Sequence, residues 1–163
     1  MELWDIINKS GEKSGCMIAR GERLRFGQYH LVVHIWIFDD SGRLLIQRRA
    51  LGLELMPGQW AATGGSAIAG EDSESAAQRE LFEELGINTV SGEMVKTGRL
   101  IRKNSLVDLW ILHRNISMDE LSLQKEEVAE VKWVTRGGLT DMIRGHTFHD
   151  YGKGYFDMLF PDK

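Results

Sequence analysis

The chain has 163 residues, 42% hydrophobic and 27% charged, the proportions of an ordinary globular protein large enough to bury a core. Its 20 basic and 24 acidic residues leave a net charge of −4, which argues against broad nucleic-acid binding by charge alone. No apolar run reaches the ~18 residues of a membrane helix, no secretory pattern opens the chain, and the lone Cys16 excludes an internal disulfide; the expectation is one cytoplasmic domain over residues 1–163, with no membrane contact.

Leu3 to Ile7 and Cys16 to Arg20 read as short strands joined by the turn residues Asn8 to Lys13. They predict an N-terminal β-hairpin extension over about residues 1–25, a candidate contact for a homodimer. Gly21 to Gln28 is polar and reads as a loop. Tyr29 to Phe38, YHLVVHIWIF, is β-branched and aromatic on both faces, the pattern of a central strand covered on both sides. His30 and His34 share one of those faces and are candidates for contact to substrate or metal, against the plainer reading of two hydrogen-bonded strand histidines. Asp39 to Gly42 supplies a turn, and Leu44 to Arg49 returns as the second strand of a hairpin. Arg49 at its end is a candidate for substrate contact, because a planar guanidinium suits phosphate oxygens; an ordinary surface arginine is the alternative.

Leu55 to Gly65, LMPGQWAATGG, reads as a turn at Pro57-Gly58 anchored by Trp60, ending in a Gly64-Gly65 pair that permits close approach of a ligand. Ser73 to Leu85 then reads as a helix. Ala76, Ala77, Leu81 and Leu85 form its buried stripe, and Gly86 stands where a C-cap belongs. Glu80, Glu83 and Glu84 fall on one side of that helix, within one turn. In a cleft, two such charges about 4 Å apart repel by about 4 kcal/mol at an effective dielectric of 20. A hard divalent cation with oxygen ligands would relieve this, whereas a solvated acidic face would need nothing.

Met94 to Lys103 and Ser105 to Arg114 read as two further strands. Asp108, inside the second, costs free energy unless paired or facing a cleft, so it is a site candidate. Val128 to Val134 is another strand, and Thr140 to Arg144 and Tyr151 to Phe160 read as short helices. Trp60, Trp110 and Phe148 could each stack on a base or serve the core.

Gly65, five residues, Glu71, seven residues, Arg79-Glu80-Leu81, one residue, Glu83-Glu84, one residue and Gly86-Ile87 fit every specified position of the Nudix box. The chain therefore resembles a Nudix-family protein. The resemblance implies an α/β fold, a Nudix-type α/β/α sandwich with a mixed β-sheet. It also implies metal-dependent hydrolysis of a diphosphate linkage in a small-molecule substrate of the nucleoside diphosphate-X type. Carried onto this sequence, Glu80, Glu83, Glu84 and the Gly64 carbonyl would hold Mg2+ or Mn2+. Glu80, Glu83, Arg79 and Glu127 form the implied catalytic set. Glu80 or Glu127 would orient or deprotonate the water, and Arg79 would pair with a neighbouring glutamate and fix its rotamer. Arg49, His30 and Asp108 remain the candidates for substrate contact. Many family members carry proline where Thr63 stands, which leaves the local turn open.

Two rivals stand beside this reading. YHLVVHIWIF followed by LLIQRRAL is similar to isopentenyl diphosphate isomerase, a relative that moves a double bond, but the cysteine implied near Thr63-Gly64-Gly65 is absent. A non-catalytic ligand-binding Nudix domain would be expected to show altered box carboxylates, and none is altered.

Overall fold

The computed structural model describes residues 1–161; Asp162 and Lys163, the end of the expected span, lie outside the described residues. Its strands are β1 (Leu3–Ile7), β2 (Lys13–Ala19), β3 (His30–Phe38), β4 (Leu44–Arg49), β5 (Trp60–Ala61), β6 (Thr63–Ser66), β7 (Val95–Ile101), β8 (Ser105–His113) and β9 (Val128–Val134), and its helices are α1 (Ser73–Leu85), α2 (Arg136–Arg144) and α3 (Lys153–Leu159).

β3 is the axis of the main sheet because both its faces are apolar. It runs parallel to β8 along its whole length, from His30 opposite Ser105 to Phe38 opposite His113. Val33, Ile35 and Ile37 face α1 and pack with Ala76, Ala77, Leu81 and Leu85. Trp36 faces the other way, against Leu139 of α2 and Tyr155 and Leu159 of α3. The sheet is mixed, with parallel β3–β8 and otherwise antiparallel pairs, and helices cover both faces: the expected α/β/α arrangement.

The expected hairpin of β3 and β4 is only its closed end. The two strands pair at Ile37–Leu45 and Phe38–Leu44 and then part. Beyond that point β6 takes the edge of β3, with Val32 to Ile35 opposite Ser66 to Thr63. β4 pairs instead with β9 and β5. The sheet thus splits between β3–β6 and β4–β5. The stretch read as a turn before the box supplies both short strands that line the split. The turn closing the hairpin is built on Asp39, whose Oδ1 accepts the N–H groups of Ser41 (3.0 Å) and Arg43 (2.8 Å). α2 begins a turn earlier than its apolar residues indicate, because Thr135 Oγ1 caps it by accepting the Gly138 N–H at 3.0 Å, across a glycine pair that carries no helical signal.

The hairpin of β1 and β2 lies over the loop that leads into α1. Leu3 O accepts the Ala69 N–H at 2.7 Å, and Asp5 accepts the Gly70 N–H at 2.8 Å while pairing with Lys13. Trp4 stacks on His30, with ring centroids 3.9 Å apart and planes 8° from parallel.

Asp108 fixes the start of α1 to the sheet. It is fully buried on β8 and accepts from Arg99 Nε (2.6 Å) and Nη2 (2.9 Å), from Lys96 Nζ (2.9 Å) and from Ser73 Oγ (2.6 Å), the first residue of α1. Trp110 Nε1 donates to the same Ser73 hydroxyl at 3.0 Å. Burial alone would raise the Asp108 pKa; the bonds from Arg99, Ser73 and Lys96 outweigh it and hold the carboxyl below the usual range. Asp108→Ala is therefore expected to lower the unfolding free energy by about 3 kcal/mol, the low end for breaking a buried pair because Arg99 and Lys96 still reach solvent. Urea denaturation checks this.

Candidate active site

The site is assembled where β6 runs into α1. Gly64 has φ 153°, a conformation that L side chains rarely adopt, and a Cβ there would strike the Val33 carbonyl. A Cβ on Gly65 would collide with the Glu80 carboxylate. Two bare backbone positions thus let the carboxylates of α1 lie directly on the strand. The helix is held in phase by its ends. The Asp72 side chain accepts the Ser75 N–H at 2.8 Å, the Asp72 N–H donates back to Ser75 Oγ at 3.0 Å, and Gly86 closes the far end in the left-handed conformation at φ 72°.

Glu80 and Glu84, one turn apart, are only 8% and 1% exposed. Burial is the main reason that the Glu80 pKa rises to about 7 and that of Glu84 to about 8. Repulsion from Glu83 and Glu127 adds to the rise of Glu80, and repulsion from Glu80 and Glu127 adds to that of Glu84. For Glu80, Arg79 works in the opposite direction. Glu84 has no cationic partner within 4 Å among the described residues. Its Oε2 accepts the Gly64 N–H at 3.2 Å, and the Gln47 amide lowers its pKa as a hydrogen-bond donor.

Arg79 organises the rest. Its Nε and Nη2 donate to the two oxygens of Glu71 at 2.6 and 3.1 Å, Nη1 donates to Glu80 and Glu83 at 3.0 Å each, and Nη2 also reaches Ser66 O at 3.0 Å. Glu71 precedes the N-cap Asp72 and also accepts the Ile68 N–H at 3.0 Å. Glu83 is exposed. Among the described residues no three carboxylates or imidazoles already converge on one point at ligating distance. The donor set nonetheless fits a hard cation. Its oxygens are carboxylates, two of them are buried with raised pKa, and Glu84 lacks any counter-charge.

The structure gathers Gly64, Arg79, Glu80, Glu83, Glu84 and Glu127 into one neighbourhood. Arg49 is anchored at its side, with Nε donating to Leu55 O at 2.8 Å, and its charge acts on His34, His149 and Tyr151. Tyr151 also feels Glu84, and its hydroxyl accepts the Ala62 N–H at 3.2 Å. His34 is held by Tyr155, with Nδ1 2.8 Å from the phenol oxygen, and burial pushes its pKa down to about 3. The structure does not bring Asp108 or His30 to the carboxylates. Asp108 is engaged by Arg99, Lys96 and Ser73, and His30 lies under Trp4. Burial first, with help from Arg20, lowers the His30 pKa to about 4. Trp110 and Phe148 are buried in the two cores, and Trp60 carries Lys132 over its ring at 4.3 Å. Sequence reading did not place Gln47, Thr63 or Tyr151 in the site; the glutamine that follows the apolar run Leu44 to Ile46, and the threonine where many family members carry proline, were the available signals.

Residues 28–151 match the family model of the NUDIX domain. An uncharacterized Nudix hydrolase of Listeria monocytogenes is 39% identical over 153 residues, 93% of this chain and 90% of that protein. The isopentenyl-diphosphate Delta-isomerase of Streptomyces coelicolor is 33% identical over 163 residues, 92% of this chain and 81% of that one. Among solved structures, DR0079 from Deinococcus radiodurans superposes with a TM-score of 0.81 at 21% identity, covering 99% of this chain and 100% of its own.

Because the folded Glu84 pKa lies above its unfolded value, the unfolded state binds fewer protons between pH about 4.5 and about 8, and stability from this group falls as pH rises through that window. In a metal chelator, Glu84→Gln is expected to melt higher than the parent protein at pH 9, with the gain shrinking toward pH 4.5. Scanning calorimetry across that range provides the check.

Proposed function

The chain belongs to the Nudix family and is a Nudix hydrolase, and from that premise we propose that it splits the diphosphate bridge of a nucleoside diphosphate-X type substrate with Mg2+ or Mn2+ held by Glu80, Glu83, Glu84 and the Gly64 carbonyl. The observation that carries the reading is Glu84: a buried carboxyl with a raised pKa, beside Glu80 and Glu127, and without a cationic partner among the described residues. A bound divalent ion supplies phosphate charge neutralisation and a lowered pKa for coordinated water.

The chain's own groups divide the remaining work. Arg79 holds Glu80 and Glu83 in fixed rotamers through two 3.0 Å bonds. Glu80, with its pKa about 7, can take a proton from water at neutral pH, and Glu127, whose charge acts on Glu80, is the second candidate for that task. Arg49, whose Nε is already anchored on Leu55 O, keeps its remaining N–H donors for substrate phosphate oxygens.

The isomerase relative keeps a second reading alive, since it is 33% identical over most of this chain. Against it, the single cysteine, Cys16, is exposed on β2. A panel of diphosphates incubated with Mg2+ separates the two. Phosphate-bearing cleavage products support the hydrolase, whereas conversion of isopentenyl diphosphate to its allylic isomer without cleavage overturns it.

For the best panel substrate, Glu84→Gln and Glu80→Gln are each expected to lower kcat by at least about 10²-fold, the scale of a lost general base or metal ligand. Chelation should abolish turnover and added Mg2+ restore it. Turnover by Glu84→Gln at the parent rate would refute the metal scheme.

A further inference from the structure

The residue before Gly64 is a threonine at a position where the box resemblance leads one to expect proline, and the fold gives its hydroxyl a specific partner. Thr63 and Gln47 are both about 1% exposed, and Thr63 Oγ1 donates to Gln47 Oε1 at 3.0 Å. Gln47 sits on β4 between Ala61 of β5 and Val131 of β9, so its backbone is fixed from both sides. Its amide acts on Glu84, whose other neighbour is the N–H of Gly64, the residue next to Thr63.

The donor and acceptor inventory fixes the direction of this relay. Once Glu84 is ionised to hold a cation, its carboxylate only accepts, so the Gln47 group facing it must then be the NH2. Oε1 then points at Thr63, and the hydroxyl must donate. Without the hydroxyl, Oε1 would be a buried acceptor with no partner, and the amide would be free to turn its oxygen toward a negative charge. A proline could not supply this bond.

We propose that Thr63 and Gln47 are positioning residues that preset the Glu84 carboxylate for a divalent cation, the hydroxyl orienting the amide and the amide orienting the carboxylate. The proposal rests on the metal reading given above. Outer partners of this kind typically change metal affinity by about 10- to 100-fold.

The test is calorimetric titration of Mn2+ into substrate-free protein, with a thermal melt of each variant. Thr63→Val keeps the shape and removes the hydroxyl; it is expected to weaken Mn2+ binding about tenfold. Thr63→Ser keeps the hydroxyl and should bind like the parent. Gln47→Met should match the valine variant, and combining Gln47→Met with Thr63→Val should cost no more than Gln47→Met alone, because both act through one relay. If one variant fails to fold, the other carries the comparison. Parent-like affinity in folded Thr63→Val or Gln47→Met overturns the proposal. No Mn2+ uptake by the parent protein overturns the metal reading itself, and this proposal with it.

Discussion

Two carboxyls of like charge, buried one helical turn apart, are the constraint around which this molecule is arranged. Glu80 and Glu84 would each lose their hydration on leaving water and repel one another there, and nothing in an apolar core would hold them ionised. The fold treats the two differently. Glu80 receives a guanidinium from the neighbouring residue of its own helix. Glu84 receives only neutral donors, a backbone N–H and an amide, which favour its ionised form without cancelling its charge. A site left short of positive charge in this way has the donor chemistry that suits a small hard cation.

Several features of the fold follow from putting those groups there. α1 must be placed against β6 closely, and two glycines at 64 and 65 make that approach sterically available. The helix must not rotate or slide, and it is pinned at its first residue by Ser73 on Asp108, at its N-cap by Asp72 and at its C-cap by Gly86. The helix also buries an apolar stripe on β3, so its polar side is directed without cost to the core. Arg79 ties Glu71, Glu80, Glu83 and the Ser66 carbonyl together, so the loop before the helix is bonded to the acidic face of the helix.

The split of the main sheet is the second determinant. β3 and β4 part after two residue pairs, β6 then takes the edge of β3, and Tyr151, from the segment before α3, accepts the Ala62 N–H between β5 and β6. Arg49 is anchored on the Leu55 carbonyl, and its charge acts on Tyr151, which also feels Glu84.

Much of this was readable from residue order, and the reason is that it is local. The period of the apolar residues, the capping signals and the fixed spacing of Glu71, Arg79, Glu80, Glu83 and Glu84 all act within a few turns of chain, so α1 and its acidic face were determined by the sequence, as were β3, β4 and β9 within a residue or so. What only the tertiary structure decided is which distant groups meet. Asp108 and His30 looked like site residues because a polar side chain in an apolar strand needs a partner; the partners turned out to be Arg99, Lys96 and Ser73 for one and the Trp4 ring for the other. Thr63, Gln47 and Tyr151 gave no comparable signal, because their roles depend on strand register and on the opening of the sheet, long-range pairings that no local pattern encodes.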